Sequence, residues 1–350
     1  MKKEKREIRL YMEERKKILI LVVTEYHLML AMAVYLEHYS GFNVTVLHVG
    51  SKDGLRFGEQ VDHKYLKWEY KRYELTDSGI QKLKQELKNF ISQYDLFISF
   101  WPRNFVSFFI ADYFRKNKLP VWVGQDGLDF YIHFTRLLPR ARLVETLNMY
   151  KKLYKNGLWV WRFVFFSYNK IKPSLADGVW VTHPSSFKKA KDLPVKEIKL
   201  QRNLRKIKRA FYFNYPDYLP KENVAFYINH PDEKITVAEE ALIRHLKSYH
   251  PEKKIIIKLH PGTKETQIKA YKDLGCLVIA TKFAAEFYIS ELKESLVLSI
   301  RSTAAITNNP DCKFYWLYPF IQNQYKWRSF EKIETNFSHI HVVHNLNEID

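Results

Sequence analysis

The chain has 350 residues, of which 46% are hydrophobic and 27% charged, an ordinary globular composition with enough length for two domains. Its 57 basic and 38 acidic residues give a net charge of +19, which attracts nucleic acid, anionic lipid or an acidic substrate without choosing among them. Cys276 and Cys312 lie far apart and lack metal-ligand spacing, so neither a disulfide framework nor a zinc site is supported. This pattern favours a reducing cytoplasm.

The amino-terminal region predicts neither a signal peptide nor a membrane span. Its first 17 residues are mostly Lys, Arg and Glu, and the apolar run 18–24 is interrupted by Glu25 and His27. A spanning helix needs roughly 20 uninterrupted apolar residues. We expect a cytoplasmic protein, with peripheral attachment to the inner face of the membrane as the alternative.

The first half alternates short apolar runs with helical patterns, as in a parallel sheet covered by helices. Strands are predicted at 17–24, 44–49, 96–100, 119–123 and 178–182, and helices at 25–39, 78–94 and 105–116. A basic stretch with two prolines, 199–221, is interpreted as a linker. The same alternation then restarts, with strands at 224–228, 254–259, 277–280, 296–300 and 313–316 and helices at 235–248, 265–274 and 284–292.

The segment 156–170 (NGLWVWRFVFFSYNK) is unusually aromatic and is basic at its edges. One interpretation is an interfacial helix that lies in anionic lipid headgroups. The other is a core helix packed on the first sheet. This interpretation is favoured, because aromatic side chains at helical spacing usually belong to the core.

The most informative local feature is 258–262 (KLHPG), where an apolar strand ends and a helix follows. Loops at the carboxyl ends of strands bind ligands in α/β proteins, and the N–H groups of the next helix favour an anion. His260 can donate a hydrogen bond to a phosphate oxygen while Lys258 adds positive charge. The alternative is a capping turn, since His-Pro also occurs at 183–184 and 230–231.

A second feature, 124–127 (GQDG), follows the strand predicted at 119–123. A carboxylate between glycines leaves room for a substrate, and Asp126 can act as the general base for an acceptor hydroxyl. Asp-Gly is also a common turn dipeptide.

A third feature, 299–303 (SIRST), again lies where a strand gives way to a helix. Ser302 and Thr303 can hold a phosphate, with Arg301 as an added cation, or one of the hydroxyls can simply cap the helix. Both interpretations can hold together.

Taken in chain order, 124–127, 258–262 and 299–303, these motifs resemble those of the bacterial GT-B type sialyltransferases with an HP motif, the group of capsule polysialyltransferases and lipooligosaccharide sialyltransferases. The opening 23–28 (VTEYHL) is also similar to the first strand-to-helix junction of those enzymes. The resemblance implies two Rossmann-like, doubly wound domains that face a central cleft, an acceptor domain at 1–205 and a nucleotide-sugar donor domain at 206–350.

The resemblance further implies inverting, metal-independent transfer of sialic acid from CMP-sialic acid to a saccharide of a bacterial surface glycan, with no cofactor. Asp126 and His260 would be catalytic. Donor binding would fall to Lys258, Pro261, Gly262, Arg301, Ser302 and Thr303, and the acceptor side to Gln125, Gly127 and Asp129.

Gln125 departs from the pattern, because the family motif has a carboxylate at that position and an amide cannot act as a base. Asp126 is the favoured replacement; the alternatives are recruitment of Asp129 or a change of activity.

The expected partners are a nucleotide sugar and an anionic saccharide acceptor, with an anionic membrane surface as a further partner. Both substrates are anions, which suits a chain of charge +19. Nucleic acid is not expected, because the sequence contains no helix-turn-helix, zinc-finger or RNP-like pattern. Transfer of Kdo from CMP-Kdo, transfer from another nucleotide sugar, and a catalytically degenerate glycan-binding protein remain the alternatives.

Overall fold

The chain divides into two compact units, Met1–Tyr212 and Phe213–Asp350. The structure is a computed structural model that describes residues 16–50, 57–74, 87, 89–100, 105–131, 151, 176–188, 192–325 and 337–350. The division falls within the stretch 199–221 that the sequence marked as a linker. Each unit is built on its own all-parallel sheet.

The first unit contains seven parallel strands in the order β3-β2-β1-β4-β5-β6-β7. Their bounds are β1 (Lys17–Val22), β2 (Asn43–Gly50), β3 (Glu69–Glu74), β4 (Leu96–Ser99), β5 (Val121–Gly124), β6 (Gly178–Val181) and β7 (Val195–Glu197). The described helices are α1 (Glu25–Val34), which continues as a π-helical turn at Tyr35–Tyr39, then α2 (His63–Leu66), α3 (Phe105–Lys116) and α4 (Leu200–Ala210). The strands are wound outwards from β1 in both directions.

The second unit repeats this arrangement with six parallel strands in the order β10-β9-β8-β11-β12-β13. Their bounds are β8 (Val224–Ile228), β9 (Lys254–Lys258), β10 (Leu277–Ile279), β11 (Ser295–Ser299), β12 (Cys312–Trp316) and β13 (Ile340–Val342). The described helices are α5 (Thr236–Tyr249), α6 (Glu265–Asp273), α7 (Ala285–Ile289) and α8 (Tyr318–Tyr325).

All ten predicted strands are present. Nine are central strands, which in a parallel sheet are buried on both faces and therefore appear as apolar runs, and the tenth, β10 (LVI), is an apolar edge strand. The sequence missed β3, β7 and β13. These strands lie at sheet edges, and β3 (EYKRYE) and β7 (VKE) are mostly polar and partly exposed. An edge strand has solvent on one side and does not need the apolar signature.

The linker prediction is wrong over its first half, since Leu200–Ala210 is the helix α4 and packs on α1 in the first unit. Of the helix predicted at 78–94, only residue 87 and residues 89–91 are described as helical. The aromatic segment 156–170 lies outside the described residues. Within the described part of the chain, no helix combines the length and apolarity that crossing a membrane requires.

The parallel arrangement positions the candidate site residues. In the second sheet, Ile228 of β8 pairs in register with Lys258 of β9 and with Ser299 of β11. In the first sheet, Ser99 of β4 pairs with Val123 of β5. The loops that follow these strands therefore all begin at the same end of each sheet, where the carboxyl ends of the parallel strands lie.

The junction of β5 with its loop is tightly packed, which gives a stability prediction. A Cβ added at Gly124 would overlap the buried ring of Phe100, whereas one added at Gly41 would meet nothing within 4 Å. We expect Gly124→Ala to lower the free energy of unfolding by about 1–3 kcal/mol through overpacking, and Gly41→Ala to leave it unchanged or slightly higher. Urea denaturation followed by tryptophan fluorescence measures both variants. Equal midpoints for the two would contradict the packing.

Candidate functional site

In the first unit the carboxylate of Asp126 is held by a buried histidine of α1. Nε2 of His27 lies 2.9 Å from Oδ1 of Asp126, and the two side chains are 4% and 20% exposed. Thr24 caps α1 by accepting a hydrogen bond from the backbone N–H of His27, which fixes the histidine in the first turn. One oxygen of Asp126 is therefore anchored, while the carboxylate as a whole still reaches solvent.

The tautomer of His27 follows from its two ring nitrogens. A carboxylate accepts hydrogen bonds, so Nε2 carries the hydrogen that it donates to Asp126. Nδ1 is buried and has no hydrogen-bond partner among the described residues. An unpaired acceptor is less costly than an unpaired buried N–H, which fits a hydrogen on Nε2.

Gln125 is fully buried, and both ends of its side-chain amide are hydrogen-bonded. Its Oε1 accepts from the hydroxyl of Tyr131 at 2.7 Å, from the backbone N–H of Thr182 at 2.8 Å and from the Thr182 hydroxyl at 2.9 Å. Its Nε2 donates to the hydroxyl of Tyr26 at 2.6 Å. The amide thus joins the loop after β5 to the loop after β6 and to α1, and it faces inwards rather than towards a ligand.

The chain reverses directly after Asp126. Gly127 has φ 71°, in the left-handed region that favours glycine, and a 3₁₀ turn at Leu128–Phe130 follows. The Asp-Gly pair is therefore a turn, and this turn is what presents Asp126. The side chain of Asp129 lies outside the described residues.

In the second unit the loop after β9 fixes the tautomer of His260. Nδ1 of His260 accepts a hydrogen bond from the backbone N–H of Gly262 at 3.0 Å, so the hydrogen resides on Nε2. The residue is exposed. Desolvation by the surrounding protein and then the charge of Lys258 hold the pKa of His260 below its usual value. An imidazole in this state has a single ring N–H, at Nε2.

Asn229, the residue after β8, supports this loop and was not singled out from the sequence. Its Oδ1 accepts from the backbone N–H of His260 at 2.6 Å and from the hydroxyl of Thr263 at 3.0 Å. Its Nδ2 donates to the hydroxyl of Tyr271 at 3.3 Å. A lone Asn before a His-Pro dipeptide gives no signal in the sequence, because its partners come from the loop after another strand and from another helix.

Behind Asn229 lies the buried carboxylate of Glu239. It accepts hydrogen bonds from the hydroxyls of Tyr227 at 2.7 Å and Tyr271 at 2.6 Å, and longer ones from the His230 N–H and the Gln267 amide. Burial raises the pKa of Glu239 to about 7, although these donors each lower it in part. The network ties α5 and α6 to the two loops that carry Asn229 and His260.

Lys258, which the sequence analysis named as a source of positive charge, is buried. The residue is 6% exposed, and its Nζ donates to the backbone carbonyls of Leu259 at 3.1 Å and Thr281 at 2.8 Å. Its charge still acts through space, since it lowers the pKa values of both His260 and the buried carboxyl of Glu286. Burial, the larger effect, raises the pKa of Glu286 to about 7.

The loop after β11 carries the remaining candidates. Ser302 caps a 3₁₀ turn at Thr303–Ile306, and its Oγ accepts from the backbone N–H of Ala304 at 3.2 Å. Arg301, Ser302 and Thr303 are all partly exposed. Because β8 and β11 are the strands from which the sheet order runs in opposite directions, this loop flanks the topological switch point, where open α/β sheets bind ligands. Pro261 and Gly262 are exposed in the neighbouring loop.

The structure therefore assembles two groups, Asp126 with His27 in the first unit and His260 with the loop 301–303 at one sheet edge in the second. Sequence reasoning missed His27, Asn229 and Glu239. The first could have been noticed as a polar residue just after the first strand of a parallel sheet. Among the described residues, no group of three His, Cys, Asp or Glu side chains could hold a metal ion.

No protein-family model and no curated protein sequence matches the chain. Its fold is similar to that of an α/β-galactoside α-2,3-sialyltransferase from Photobacterium phosphoreum, with a TM-score of 0.52 and 10% identity over 96% of this chain and 100% of that one. It is also similar to a UDP-N-acetylglucosamine 2-epimerase from Rickettsia bellii, with a TM-score of 0.50 and 14% identity over 83% of this chain and 76% of that one.

The chain has a GT-B fold of two Rossmann-like α/β domains. At these identities the similarity is one of fold, and the roles of individual residues follow from the geometry described above.

The raised pKa of Glu239 predicts a pH-dependent stability. A folded-state pKa of about 7, above the usual 4.5, means that the protonated carboxyl stabilises the fold below pH 4.5 and that this contribution is lost as the pH rises through about 7. We expect the free energy of unfolding of Glu239→Gln, relative to the unmodified protein, to rise by on the order of 3 kcal/mol across this window.

Urea titrations at several pH values between 4.5 and 8 measure this difference. Glu240→Gln is the control, because Glu240 neighbours Glu239 in the chain but is only half-buried and faces Arg244 at 3.7 Å. The same pH dependence in the Glu239→Gln protein as in the unmodified one would contradict the assignment.

Proposed function

We propose that the protein is an inverting, metal-independent glycosyltransferase that moves sialic acid from CMP-sialic acid to a saccharide acceptor of a bacterial surface glycan. The observation that carries the proposal is the state of His260, an exposed residue with a lowered pKa whose Nδ1 accepts from Gly262, so that Nε2 carries the hydrogen, in the loop after β9, the strand beside β8 at the switch point of the second sheet. This is a donor for an anionic oxygen.

The second domain would bind the nucleotide. Phosphate is held in proteins by N–H and hydroxyl donors and by cations, and the loops at this edge offer the His260 Nε2–H, the Ser302 and Thr303 hydroxyls and the Arg301 guanidinium. Lys258 contributes its positive charge from beneath the sheet edge. Pro261 and Gly262 complete the turn that orients the imidazole.

The first domain would activate the acceptor. Asp126 takes the proton of the acceptor hydroxyl, and that oxygen forms a bond to the anomeric carbon of the sialic acid. The bond between this carbon and the phosphate oxygen breaks, and CMP leaves with the electron pair. The Nε2–H of His260 stabilises the charge that develops on the departing phosphate.

The environment of position 125 supports Asp126 rather than its neighbour as the base. Gln125 is enclosed by donors from Tyr131 and Thr182, so a side chain at this position braces the loop. Asp126, in contrast, is partly exposed and keeps its second carboxylate oxygen available. The amide at 125 is therefore compatible with an active enzyme.

A net charge of +19 supports anionic partners, here the nucleotide sugar and an acidic saccharide, and raises their rate of encounter. We place the protein in the cytoplasm, where nucleotide sugars are available, with access to the inner face of the membrane.

A second candidate is a nucleotide-diphosphate-sugar enzyme, because one structure of similar fold is named a UDP-N-acetylglucosamine 2-epimerase. CMP-Kdo is a third donor with the same monophosphate leaving group. These donors differ in nucleotide or in sugar, so binding and activity assays separate them.

Nucleotide selectivity is the first test. We expect calorimetric titration to show binding of CMP that is stronger than that of CDP, UDP or GDP, in moderate salt that screens nonspecific attraction to a basic protein. Assays with CMP-sialic acid and CMP-Kdo then identify the sugar. Preference for UDP would favour the second candidate, and the absence of any nucleotide binding would favour a glycan-binding protein without activity.

Two substitutions then test the roles. Asp126→Asn retains an oxygen for the hydrogen bond from His27 but cannot take a proton, so we expect turnover to fall by about 10²–10⁴-fold with CMP binding unchanged. His260→Ala should lower turnover and also weaken CMP binding. Asp217→Asn and His344→Ala, two exposed side chains of the second unit, are the matched controls. Full activity of Asp126→Asn would overturn the assignment of the base.

His27 should act through Asp126. We expect His27→Leu to lower kcat by about 10–100-fold, since a hydrogen bond to a charged group contributes about 1.5–3 kcal/mol, with little change in KM for the donor. His27→Gln can still donate to Asp126 and should recover part of kcat. Equal losses in both variants, with a lower melting temperature in each, would indicate a purely structural role.

A further inference from the structure

Apart from the four-residue α2, the helix α4 differs from the other described helices that carry charges in having cations and no acidic residue. Its sequence, LQRNLRKIKRA, contains the cations Arg202, Arg205, Lys206, Lys208 and Arg209 and no acidic residue. By comparison, α5 carries two acids and two cations on its fourteen residues. The positive charge of α4 is therefore segregated, not dispersed.

The cations are also segregated in space. Leu200, Leu204, Ile207 and Ala210 form the buried face of α4, which packs on α1. Arg202, Arg205, Lys206 and Arg209 recur at helical spacing on the opposite face and are exposed. At 1.5 Å per residue they extend over roughly 10 Å, close to the distance over which charges act together at physiological salt.

The fold neutralises this face only in part. Glu37 accepts from Arg202 at 2.9 Å and faces Lys199 at 3.4 Å, and Arg209 lies over the ring of Tyr65 at 4.8 Å. Neither Arg205 nor Lys206 has an ion pair with the described residues. Like charges at i and i+4, such as Arg202 with Lys206, destabilise a helix. The arrangement is thus unfavourable for stability and points to an external anion.

An aromatic side chain adjoins the carboxyl end of this face. Tyr212 follows α4 and is 64% exposed, with its hydroxyl hydrogen-bonded to Asp62. Aromatic rings with a polar tip are typical of surfaces at the level of lipid headgroups. Because the apolar face of α4 is occupied within the first unit, the helix can meet a membrane only through its charges and this ring.

We propose that the outward face of α4, formed by Arg202, Arg205, Lys206 and Arg209 with Tyr212, docks the protein on an anionic lipid bilayer. A helix surface is convex and touches a plane along a row of side chains, whereas single-stranded nucleic acid is bound in a cationic groove with stacking aromatics. Attachment of this kind is peripheral and weakens as salt rises. The inference is independent of the proposed reaction.

The test is sedimentation of the full chain with vesicles of phosphatidylcholine alone and of phosphatidylcholine with phosphatidylglycerol. We expect binding to the anionic vesicles only. Each cation near an anionic leaflet strengthens binding about fivefold, so the double variant Arg205→Gln, Lys206→Gln should bind about 25-fold more weakly. Both side chains are exposed and Gln is a good helix former, so the fold should be retained, which circular dichroism checks.

The matched control is the double variant Arg244→Gln, Lys247→Gln, which removes the same charge from exposed positions of α5. It should bind the vesicles nearly as well as the unmodified protein. Equal weakening in the two variants would mean that net charge alone attracts the chain and would overturn the proposal. So would failure of the unmodified protein to bind anionic vesicles, or a loss of binding to soluble polyuridylate in the α4 variant with vesicle binding unchanged.

Discussion

In each domain every described strand of the sheet runs in the same direction, and this constraint determines where chemistry can occur. Parallel strands need crossovers, and the loops that begin those crossovers all leave the sheet at one edge. His27 follows β1 and Asp126 follows β5, while Asn229, His260 and Arg301 follow β8, β9 and β11. Residues that are far apart in the chain become neighbours because they occupy equivalent positions after parallel strands.

Two buried amides hold these loops in place. Gln125 joins the ends of β5 and β6 to α1, and Asn229 joins the end of β8 to the His260 loop. An amide suits this role because it donates and accepts at once and carries no charge that burial would penalise. Polar groups of this kind give the loops a fixed geometry, and they leave the neighbouring Asp126 and His260 exposed to a ligand.

Charge is distributed according to a different requirement. Inside the second domain the carboxyl groups of Glu239 and Glu286 are buried, and burial raises the pKa of each to about 7. On the surface of the first domain, α4 carries cations without acids. Neither arrangement maximises stability, since one desolvates a charge and the other places like charges side by side. The first braces the candidate nucleotide loop, and the second is suited to an anionic surface.

The sequence by itself determined the two α/β domains and the central strands, because strands such as Lys17–Val22 and Lys254–Lys258 are apolar on both faces. It also singled out Asp126 and His260 as candidates, since each follows such a strand. It missed three of the four edge strands, and it took the helix α4 for part of a linker because cations are interspersed among the apolar residues along its sequence. The anchoring of Asp126 by His27, the inward orientation of Gln125 and Lys258, and the support of His260 by Asn229 were decided only by the tertiary structure. Each depends on a contact between segments at least 30 residues apart or on the burial of a polar side chain, and neither is encoded in a local pattern.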